Sequence, residues 1–220
     1  MSPLVVKYLN MKKAVFFDLD GTLWDALIPN LEAWNLAMEK LNQPYRFDLK
    51  TIKSFMGLTP DETASLAFPQ TPIEEGKKLF KDTLKISTEY MKTHPGSMYP
   101  DEIEVLKELK KDYPLFIVSN CESGYIENFL NGCNTKDYFI DHTCVGDTGL
   151  EKWQNILFLK DKYSIEEVIY VGDTNKDFVE ATKANVKFVH AHYGFQKDVP
   201  CTYKIDSLKE LARLLKIIFN

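Results

Sequence analysis

The sequence lacks the features of a disulfide-rich or zinc-binding protein. It has four cysteines among 220 residues. None of them forms a Cys-x-x-Cys pair, and none has a histidine at zinc-finger spacing. A disulfide scaffold and a structural zinc site are therefore excluded, and we expect four reduced thiols, as in a cytosolic protein.

The sequence also lacks long apolar runs and an excess of positive charge. No uninterrupted run of apolar side chains is longer than four residues, whereas a membrane-spanning helix needs about 20 and a signal-peptide core about 7 to 15. The formal net charge is −5, which argues against a nucleic-acid backbone or an anionic membrane as the main partner. We therefore expect a cytoplasmic globular protein without nucleic-acid or membrane partners, and the sequence leaves its oligomeric state open.

Four short apolar runs have the character of strands that are buried on both faces of a parallel sheet. They occupy residues 14–17, 115–118, 168–171 and, on either side of Lys187, 186–189. Each is rich in β-branched or aromatic side chains and lacks strict polar alternation. Helical patterns lie between the later runs. The sequence therefore predicts right-handed βαβ units and a doubly wound, Rossmann-like α/β core built on a parallel sheet.

The stretch from residue 25 to residue 94 interrupts this alternation with helices alone. Two segments in it carry the capping-box pattern, with Thr59 and Thr71 as N-caps, proline at the next position and glutamate three residues on. We predict that 25–94 is an inserted helical-bundle cap. The other predicted units are the core, 11–24 and 95–220, and an N-terminal extension, 1–10.

Two carboxylates follow the first predicted strand. Asp18 and Asp20 alternate with Leu19, so both emerge on one side of the strand at its carboxyl end. That end is where open α/β sheets bind ligands. Two carboxylates held close together repel each other unless a positive charge lies beside them, and a divalent cation is the usual solution. The alternative interpretation is an ordinary Asp-Gly turn.

Polar groups also follow two other predicted strands. Asp173 follows the run at 168–171, and Asp177 falls in the first turn of the next helix. Ser119 and Asn120 follow the run at 115–118, where hydroxyl, amide and backbone N–H groups suit an oxyanion or a phosphate. Each group alone is also typical of a turn or a helix cap. Their coincidence at three strand ends favours one site that binds a cation and an anion together.

In type, order and spacing these residues resemble the motifs of the haloacid dehalogenase superfamily. The first motif is matched by 18–23, the second by 119–120 and the fourth by 172–177. The resemblance covers nearly the whole chain from Lys12, because one branch of the family inserts a helical cap where 25–94 lies.

The third motif of this family is a single lysine, and Lys152 matches it best. Lys160 and Lys162 are alternatives that lie closer to the following strand. Trp153 comes next in the chain, where relatives often carry proline. The third motif is therefore the least specific part of the resemblance.

The resemblance implies a Mg²⁺-dependent phosphatase that hydrolyses a small phosphorylated metabolite through an aspartyl-phosphate intermediate, as in the phosphoglycolate phosphatase-like branch. Asp18 would be the nucleophile and Asp20 the general acid and base. Asp18, Asp173 and the backbone carbonyl of Asp20 would bind Mg²⁺, with Asp177 beside the cation. A dehalogenase needs no acid at the position of Asp20, so the resemblance favours phosphate chemistry.

The resemblance also implies which residues bind the rest of the substrate, a small-molecule phosphate ester. Ser119, Asn120 and Lys152 would hold the phosphoryl oxygens. The candidate cap contacts with the leaving group are Trp24, Met56 and Gly57, and core packing of the bundle is the alternative interpretation of the segment 55–58.

Other functions remain open at this point. A phosphosugar mutase of the β-phosphoglucomutase type would share the first and fourth motifs and the cap. A phosphonate-cleaving enzyme would need a cap lysine, for which Lys53 is the nearest candidate. A catalytically silent interaction protein on this fold is the third alternative, but every motif acid is present. The four histidines fit no catalytic arrangement.

Overall fold

The structure is a computed structural model that describes residues 12–219, so the predicted extension at 1–10 lies outside the described residues. Its strands are β1 (Lys13–Phe17), β2 (Trp24–Asp25), β3 (Ser97–Met98), β4 (Leu115–Ser119), β5 (Asp141–Cys144), β6 (Glu167–Gly172), β7 (Lys187–Ala191) and β8 (Tyr203–Ile205). Six of them form one parallel sheet in the order β5-β4-β1-β6-β7-β8. The other two, β2 and β3, pair with each other in antiparallel fashion.

The described residues include ten α-helices. They are α1 (Leu27–Lys40), α2 (Leu49–Phe55), α3 (Pro60–Ala67), α4 (Ile73–Met91), α5 (Glu102–Asp112), α6 (Tyr125–Gly132), α7 (Val145–Thr148), α8 (Lys152–Lys162), α9 (Asn175–Lys183) and α10 (Leu211–Ile218). Helices α5, α6 and α10 pack on one face, and α8 and α9 pack on the other. Within the described part of the chain, no helix is both long enough and apolar enough to cross a membrane.

The four apolar runs of the sequence form β1, β4, β6 and β7, which confirms the predicted doubly wound α/β fold. These strands are buried along most of their length because helices cover both faces. Strands β5 and β8 were not predicted from the sequence. Both are edge strands of the sheet, and β5 has the polar sequence Asp-His-Thr-Cys, so neither contains an apolar run.

Helices α1 to α4 lie between β1 and β4 and pack around an apolar cluster of their own. The ring centroid of Trp34 lies 5.1 Å from that of Phe55 and 5.9 Å from that of Phe80. The β2–β3 pair lies where the chain enters and leaves this segment. We call α1–α4 the helical insertion; all four helices fall within the predicted range 25–94.

The two predicted capping boxes have different outcomes. At the start of α3, Glu62 N donates to Thr59 Oγ1 at 3.4 Å and Thr59 N donates to Glu62 Oε2 at 2.7 Å, so the first box is confirmed. The second is wrong, because Pro72 is the N-cap of α4 and Thr71 makes no cap bond. The Thr71 hydroxyl lies 2.6 Å from the hydroxyl of Tyr45 instead. A tertiary contact thus replaces the local one.

A carboxyl group is buried at the start of α5. Glu102 is 2% exposed, and its Oε2 accepts a hydrogen bond from the backbone N–H of Tyr99 at 3.2 Å. Its Oε1 has no hydrogen-bond partner among the described residues. Burial disfavours the charged form and raises the pKa of Glu102 to about 9. Glu102 is therefore protonated in the folded protein at neutral pH.

We expect Glu102→Gln to stabilise the protein increasingly as the pH rises. The unfolded chain loses the Glu102 proton near the ordinary pKa of 4.5, whereas the folded protein keeps it up to about 9. The free energy of unfolding of the wild type therefore falls through this window. Glutamine does not titrate, so the variant lacks this pH dependence. The difference in the free energy of unfolding between the variant and the wild type therefore grows by at most about 1.4 kcal/mol per pH unit.

Urea unfolding of both proteins at about pH 5 and about pH 8 measures this difference. Glu104→Gln changes an exposed glutamate in the same first turn of α5 and is the matched control. A difference between wild type and Glu102→Gln that does not change with pH would show that Glu102 is not protonated in the folded state.

Candidate active site

The carboxyl ends of neighbouring parallel strands bring the predicted site residues to one edge of the sheet. Strand β1 lies between β4 and β6, and Phe17 is in register with both Ile117 and Val171. The backbone N–H of Asp18 donates to the carbonyl of Val171 at 2.8 Å. This bond holds Asp18 directly beside the strand that leads to Asp173.

Three carboxylates and one lysine form a buried cluster at this edge. Asp18, Asp173 and Asp177 each contribute a carboxylate oxygen that lies within 4.8 Å of the other two. Lys152 Nζ donates to Asp18 Oδ1 at 2.8 Å and to Asp177 Oδ1 at 2.6 Å. All four side chains are buried, and the lysine is the cation that joins Asp18 to Asp177.

The structure places Lys152, and neither of the alternative lysines, in this cluster. Lys162 forms a partly exposed ion pair at the surface, and Lys160 is half-buried near the end of α8. The backbone N–H of Trp153 donates to Glu180 Oε2 at 3.0 Å, a bond that proline cannot make. Tryptophan at position 153 is therefore compatible with Lys152 at the start of the helix.

The carboxylate oxygens of Asp177 and Asp173 differ in their hydrogen bonds. Asp177 Oδ2 accepts from the N–H and the hydroxyl of Thr174, at 3.0 and 2.6 Å, in a capping box at the start of α9. Its Oδ1 binds Lys152, so both oxygens are used. Asp173 Oδ2 accepts from the backbone N–H of Phe195 at 2.7 Å, whereas its Oδ1 is buried with no hydrogen-bond partner among the described residues. Asp173 therefore offers an unused ligand atom.

The cluster carries more negative than positive charge. Burial and the neighbouring Asp177 charge raise the pKa of Asp18 to about 6, against the opposing effect of Lys152. Burial, with the charges of Asp177 and Asp18, raises the pKa of Asp173 well above its usual value. The acids hold the pKa of Lys152 well above its usual range even though burial lowers it. An unused buried oxygen and an excess of carboxylates fit a hard divalent cation such as Mg²⁺.

Two glycines allow the backbone to approach Asp173. Gly21 has φ of +81°, and a Cβ there would lie 2.2 Å from Asp173 Oδ2. A Cβ on Gly194 would lie 2.4 Å from the Asp173 Cβ and from the carbonyl oxygen of Gly21. A side chain at either position would therefore displace Asp173. Gly21 belongs to the first motif, whereas the sequence analysis did not single out Gly194.

A buried histidine supports the backbone of Asp173. His190 Nε2 lies 3.2 Å from the carbonyl oxygen of Asp173 and 3.0 Å from that of Gln196. Because both partners are acceptors, Nε2 carries the proton. Burial lowers the pKa of His190, which favours the neutral ring. His190 thus ties the residue after β6 to the loop that follows β7.

Asp20 is bonded to a tyrosine, and an asparagine holds that tyrosine; neither residue was predicted from the sequence. Tyr125, at the start of α6, donates its hydroxyl hydrogen to Asp20 Oδ1 at 2.9 Å. Asn30 of α1 donates from Nδ2 to that hydroxyl at 2.7 Å, which leaves the phenol proton for Asp20. Burial and the charge of Asp18 raise the pKa of Asp20 to about 7. No local pattern signals this arrangement, since Asn30 and Tyr125 are 95 residues apart.

The end of β4 contributes a hydroxyl and an amide. Ser119 is buried, and its Oγ accepts from the N–H of Cys121 at 3.4 Å. Asn120 Nδ2 donates to the carbonyl oxygen of Gly57 at 2.8 Å. Gly57 has φ of +77°, and a Cβ there would lie 3.4 Å from Thr174. This turn of the insertion therefore lies against the ends of two core strands, and the Asn120 side chain links the sheet to it.

A cavity of about 90 Å³ lies between this edge of the sheet and the insertion. The predicted site residues that line it are Asp18, Asp20, Ser119, Asn120, Met56 and Gly57. The prediction of Trp24 as a cap contact is wrong. Trp24 belongs to β2, is wholly buried in the core and packs with its ring centroid 5.2 Å from that of Tyr125. Lys53 also does not line the cavity; its Nζ lies 5.8 Å from the ring centroid of Phe195.

Comparison with known protein families agrees with this geometry. Residues 15–191 match the family model described as haloacid dehalogenase-like hydrolase. Because the match spans most of the chain, the protein belongs to this family and is an enzyme of the hydrolase class. The resemblance identified from the motifs is thus confirmed.

Curated relatives and solved structures resemble the chain along most of its length. A phosphoglycolate phosphatase of Vibrio parahaemolyticus is 25% identical over 93% of this chain and 96% of its own. One of Aliivibrio fischeri is 28% identical over 86% and 87%, respectively. A predicted phosphoglycolate phosphatase of Haemophilus somnus superposes with a TM-score of 0.79 at 21% identity, over 91% of this chain and 96% of its own. A β-phosphoglucomutase of Clostridium difficile superposes with a TM-score of 0.73 at 17% identity, over 96% and 100%. These two structures share the fold.

Proposed function

We propose that the protein is a Mg²⁺-dependent phosphatase that hydrolyses a small phosphate monoester. One observation carries the proposal: the carboxylate of Asp18 is bonded to a buried lysine and borders a small cavity that a second carboxylate, Asp20, also lines. A nucleophile, an acid and a cation for phosphoryl oxygens thereby meet in one site. The phosphoglycolate phosphatases among the relatives support the same chemistry.

Asp18 is the nucleophile of the first step. One of its carboxylate oxygens attacks phosphorus, the ester P–O bond breaks, and an aspartyl phosphate forms. Asp20 gives its proton to the leaving oxygen, so the alcohol departs neutral. The pKa of Asp20, raised to about 7 by burial and by the Asp18 charge, supports a protonated acid near neutral pH.

Water completes the reaction in the second step. Asp20 accepts a proton from the water whose oxygen attacks phosphorus. The bond between phosphorus and the Asp18 oxygen then breaks, which releases inorganic phosphate and restores the carboxylate. Ser119 and Lys152 hold phosphoryl oxygens in both steps. Asn120 joins them when its bond to Gly57 opens.

Asp18, Asp173 and the backbone carbonyl of Asp20 would hold Mg²⁺. The bound cation supplies positive charge that offsets the charge of the phosphoryl oxygens. The unused Oδ1 of Asp173 supports this ligand set. Asp177 has both oxygens engaged by protein groups, which supports a place beside the cation and not on it.

The range 25–94 is the cap of this enzyme, and the core comprises 11–24 and 95–220. Three hydrogen bonds support the contact between them: Asn120 to Gly57 at 2.8 Å, Asn30 to Tyr125 at 2.7 Å and Asn128 to Thr88 at 3.0 Å. The apolar side chains of the insertion also border the cavity. A cap in this position excludes water from the reacting groups and selects the leaving group.

Phosphate release from a panel of metabolite phosphates and a generic aryl phosphate tests the proposed function. We expect hydrolysis of small monoesters in the presence of Mg²⁺, loss of activity with EDTA, and recovery when Mg²⁺ is restored. Isomerised sugar phosphate in place of inorganic phosphate would indicate a mutase. No turnover, together with no Mg²⁺ binding by calorimetry, would indicate a silent interaction protein.

We expect Tyr125→Phe to lower kcat/KM for an alkyl phosphate by about tenfold, the effect of losing one hydrogen bond. The phenol orients the Asp20 carboxyl that protonates the leaving oxygen. An aryl phosphate releases a more acidic alcohol and needs less protonation in the first step, so its kcat/KM, which does not include the second step, falls less. Steady-state rates with both esters measure the two effects.

The matched control is Tyr90→Phe, which removes a hydrogen bond of 2.9 Å between a tyrosine and Glu32 on an exposed part of the insertion. It should leave both rates unchanged. Equal losses with the alkyl and the aryl ester would mean that Tyr125 supports the fold and does not orient the acid.

A further inference from the structure

The charged side chains that line the cavity are all acidic. Asp18 and Asp20 lie on the sheet side, and Glu122 follows β4 nearby. Among the described residues that line this cavity there is no lysine, arginine or histidine. The insertion contributes a mainly apolar wall that includes Trp34, Ile52, Phe55, Met56, Phe80 and Leu84. The leaving group of a bound ester therefore faces hydrocarbon and acids.

The lysines around the cavity are engaged elsewhere. Lys152 is 1% exposed and bonded to Asp18, so it serves the phosphoryl end. Lys53 lies against the ring of Phe195, and Lys176 forms an ion pair with a glutamate of α3. None of these three lysines lines the cavity.

An outer cleft next to the cavity does contain lysines, but acids accompany them. Its charged lining residues are Lys77, Lys81, Lys85, Asp61, Glu89 and Glu122. Three basic and three acidic groups leave this cleft without an excess of positive charge. It therefore does not select an anionic group either.

We infer that the leaving group of the natural substrate is a short, uncharged alcohol with an apolar body. The inference rests on the proposed phosphatase function. The cavity of about 90 Å³ is smaller than the roughly 300–1,000 Å³ of sites for drug-sized ligands, which favours an alcohol of a few heavy atoms. Neutral side chains at its wall, Asn30, Thr63 and Thr88, can meet a hydroxyl group.

This substrate class differs from the one in the names of the relatives. The carboxylate of phosphoglycolate would be placed against apolar side chains, close to Asp20 and Glu122, with no cation to pair with. Burying an unpaired charge is costly, and none of the described residues that line this cavity is basic and could offset that cost. The same cavity accepts an alkyl group of equal size without that cost.

The test compares propyl phosphate with 2-phosphoglycolate, two esters of similar size, on the wild-type protein with Mg²⁺. We expect kcat/KM for propyl phosphate to exceed that for phosphoglycolate by about 100-fold. An equal or opposite preference would overturn the inference while the phosphatase function stands. Hydrolysis of neither ester, nor of any ester of the wider panel, would overturn the proposed function and the inference with it.

A cation introduced into the wall should shift the preference. Leu84→Lys places an ammonium group at the cavity, and we expect kcat/KM for phosphoglycolate to rise about tenfold relative to propyl phosphate. Leu66→Lys makes the same change at a position of α3 that is 51% exposed, and should leave the ratio unchanged. If both variants fold and have the same ratio of kcat/KM for phosphoglycolate to that for propyl phosphate, the inference is contradicted. If Leu84→Lys does not fold, the comparison of the two esters on the wild type decides.

Discussion

Asp18→Asn is expected to lower kcat for phosphate release by at least about 1,000-fold while the protein stays folded. The amide cannot attack phosphorus, so no aspartyl phosphate forms. Its oxygen can still accept the hydrogen bond that Lys152 donates to Asp18 at 2.8 Å, which keeps the lysine in place. Steady-state phosphate release and circular dichroism measure the two expectations.

Rapid acid quenching of the wild type during turnover supplies an independent readout. Mass spectrometry should find a phosphorylated peptide that contains residue 18, and the same peptide from Asp18→Asn should carry no phosphate. Asp25→Asn is the matched control, because Asp25 is exposed and accepts a hydrogen bond only from the N–H of Leu27 within the described residues. Full activity in Asp18→Asn would remove Asp18 from the chemistry.

Lys152→Met is expected to lower the free energy of unfolding by about 3–5 kcal/mol, the usual cost of removing one partner of a buried ion pair. Lys152 is the cation bonded to both Asp18 and Asp177, and all three side chains are buried. Methionine has a similar length but leaves the acids to repel each other. Urea unfolding without added metal measures the loss.

The same measurement at lower pH tests the electrostatic cause. Even beside Lys152, burial and the Asp177 charge raise the pKa of Asp18 to about 6, so this acid gains a proton as the pH falls through that value. Because Lys152 lowers this pKa, Asp18 takes up its proton at a higher pH in Lys152→Met than in the wild type. The loss should therefore be larger at about pH 8 than at about pH 5. Lys162→Met removes an ion pair at the surface, where the lysine side chain is 47% exposed, and should cost less than about 1 kcal/mol. Equal losses in the two variants would argue against a charge-balancing role.

The sequence predicts the centre of the sheet better than its edges because burial on both faces leaves a continuous apolar run. Strands β1, β4 and β6 contain runs of four apolar residues, and β7 was predicted from the stretch 186–189, which Lys187 interrupts. Edge strand β5 has no such run, because it pairs with one strand only and is partly exposed to solvent, so polar residues are tolerated in it. The capping pattern at Thr71 is not realised for a related reason. The Thr71 hydroxyl bonds to Tyr45, which lies 26 residues earlier in the chain, and a local pattern cannot predict that contact.

In the candidate site, too, residues within local motifs could be predicted, whereas contacts between distant residues could not. Asp18, Asp20 and Asp173 stand at strand ends, and the parallel register alone brings those ends together. The hydroxyl that orients Asp20 comes from Tyr125, and its own partner comes from the insertion. Such a contact between distant residues has no sequence pattern, so it becomes visible only in the folded chain.

The position of Trp24 relative to the cavity also could not be predicted from the sequence. Trp24 follows the first motif directly and is aromatic, which favours a substrate contact when the sequence is considered alone. Strand β2 instead turns the indole into the core, against Tyr125. Which face of a two-residue strand meets the substrate is set by the packing around it.

The hydrogen bond from Phe195 to Asp173 bears on how this site can vary during evolution. The donor is a backbone N–H, so the bond survives any change of residue at 195 except proline. Gly194 has no such freedom, because even a methyl group would collide with Asp173. Selection on the loop after β7 should therefore act on its length, on the glycine and against proline, while the other side chains drift.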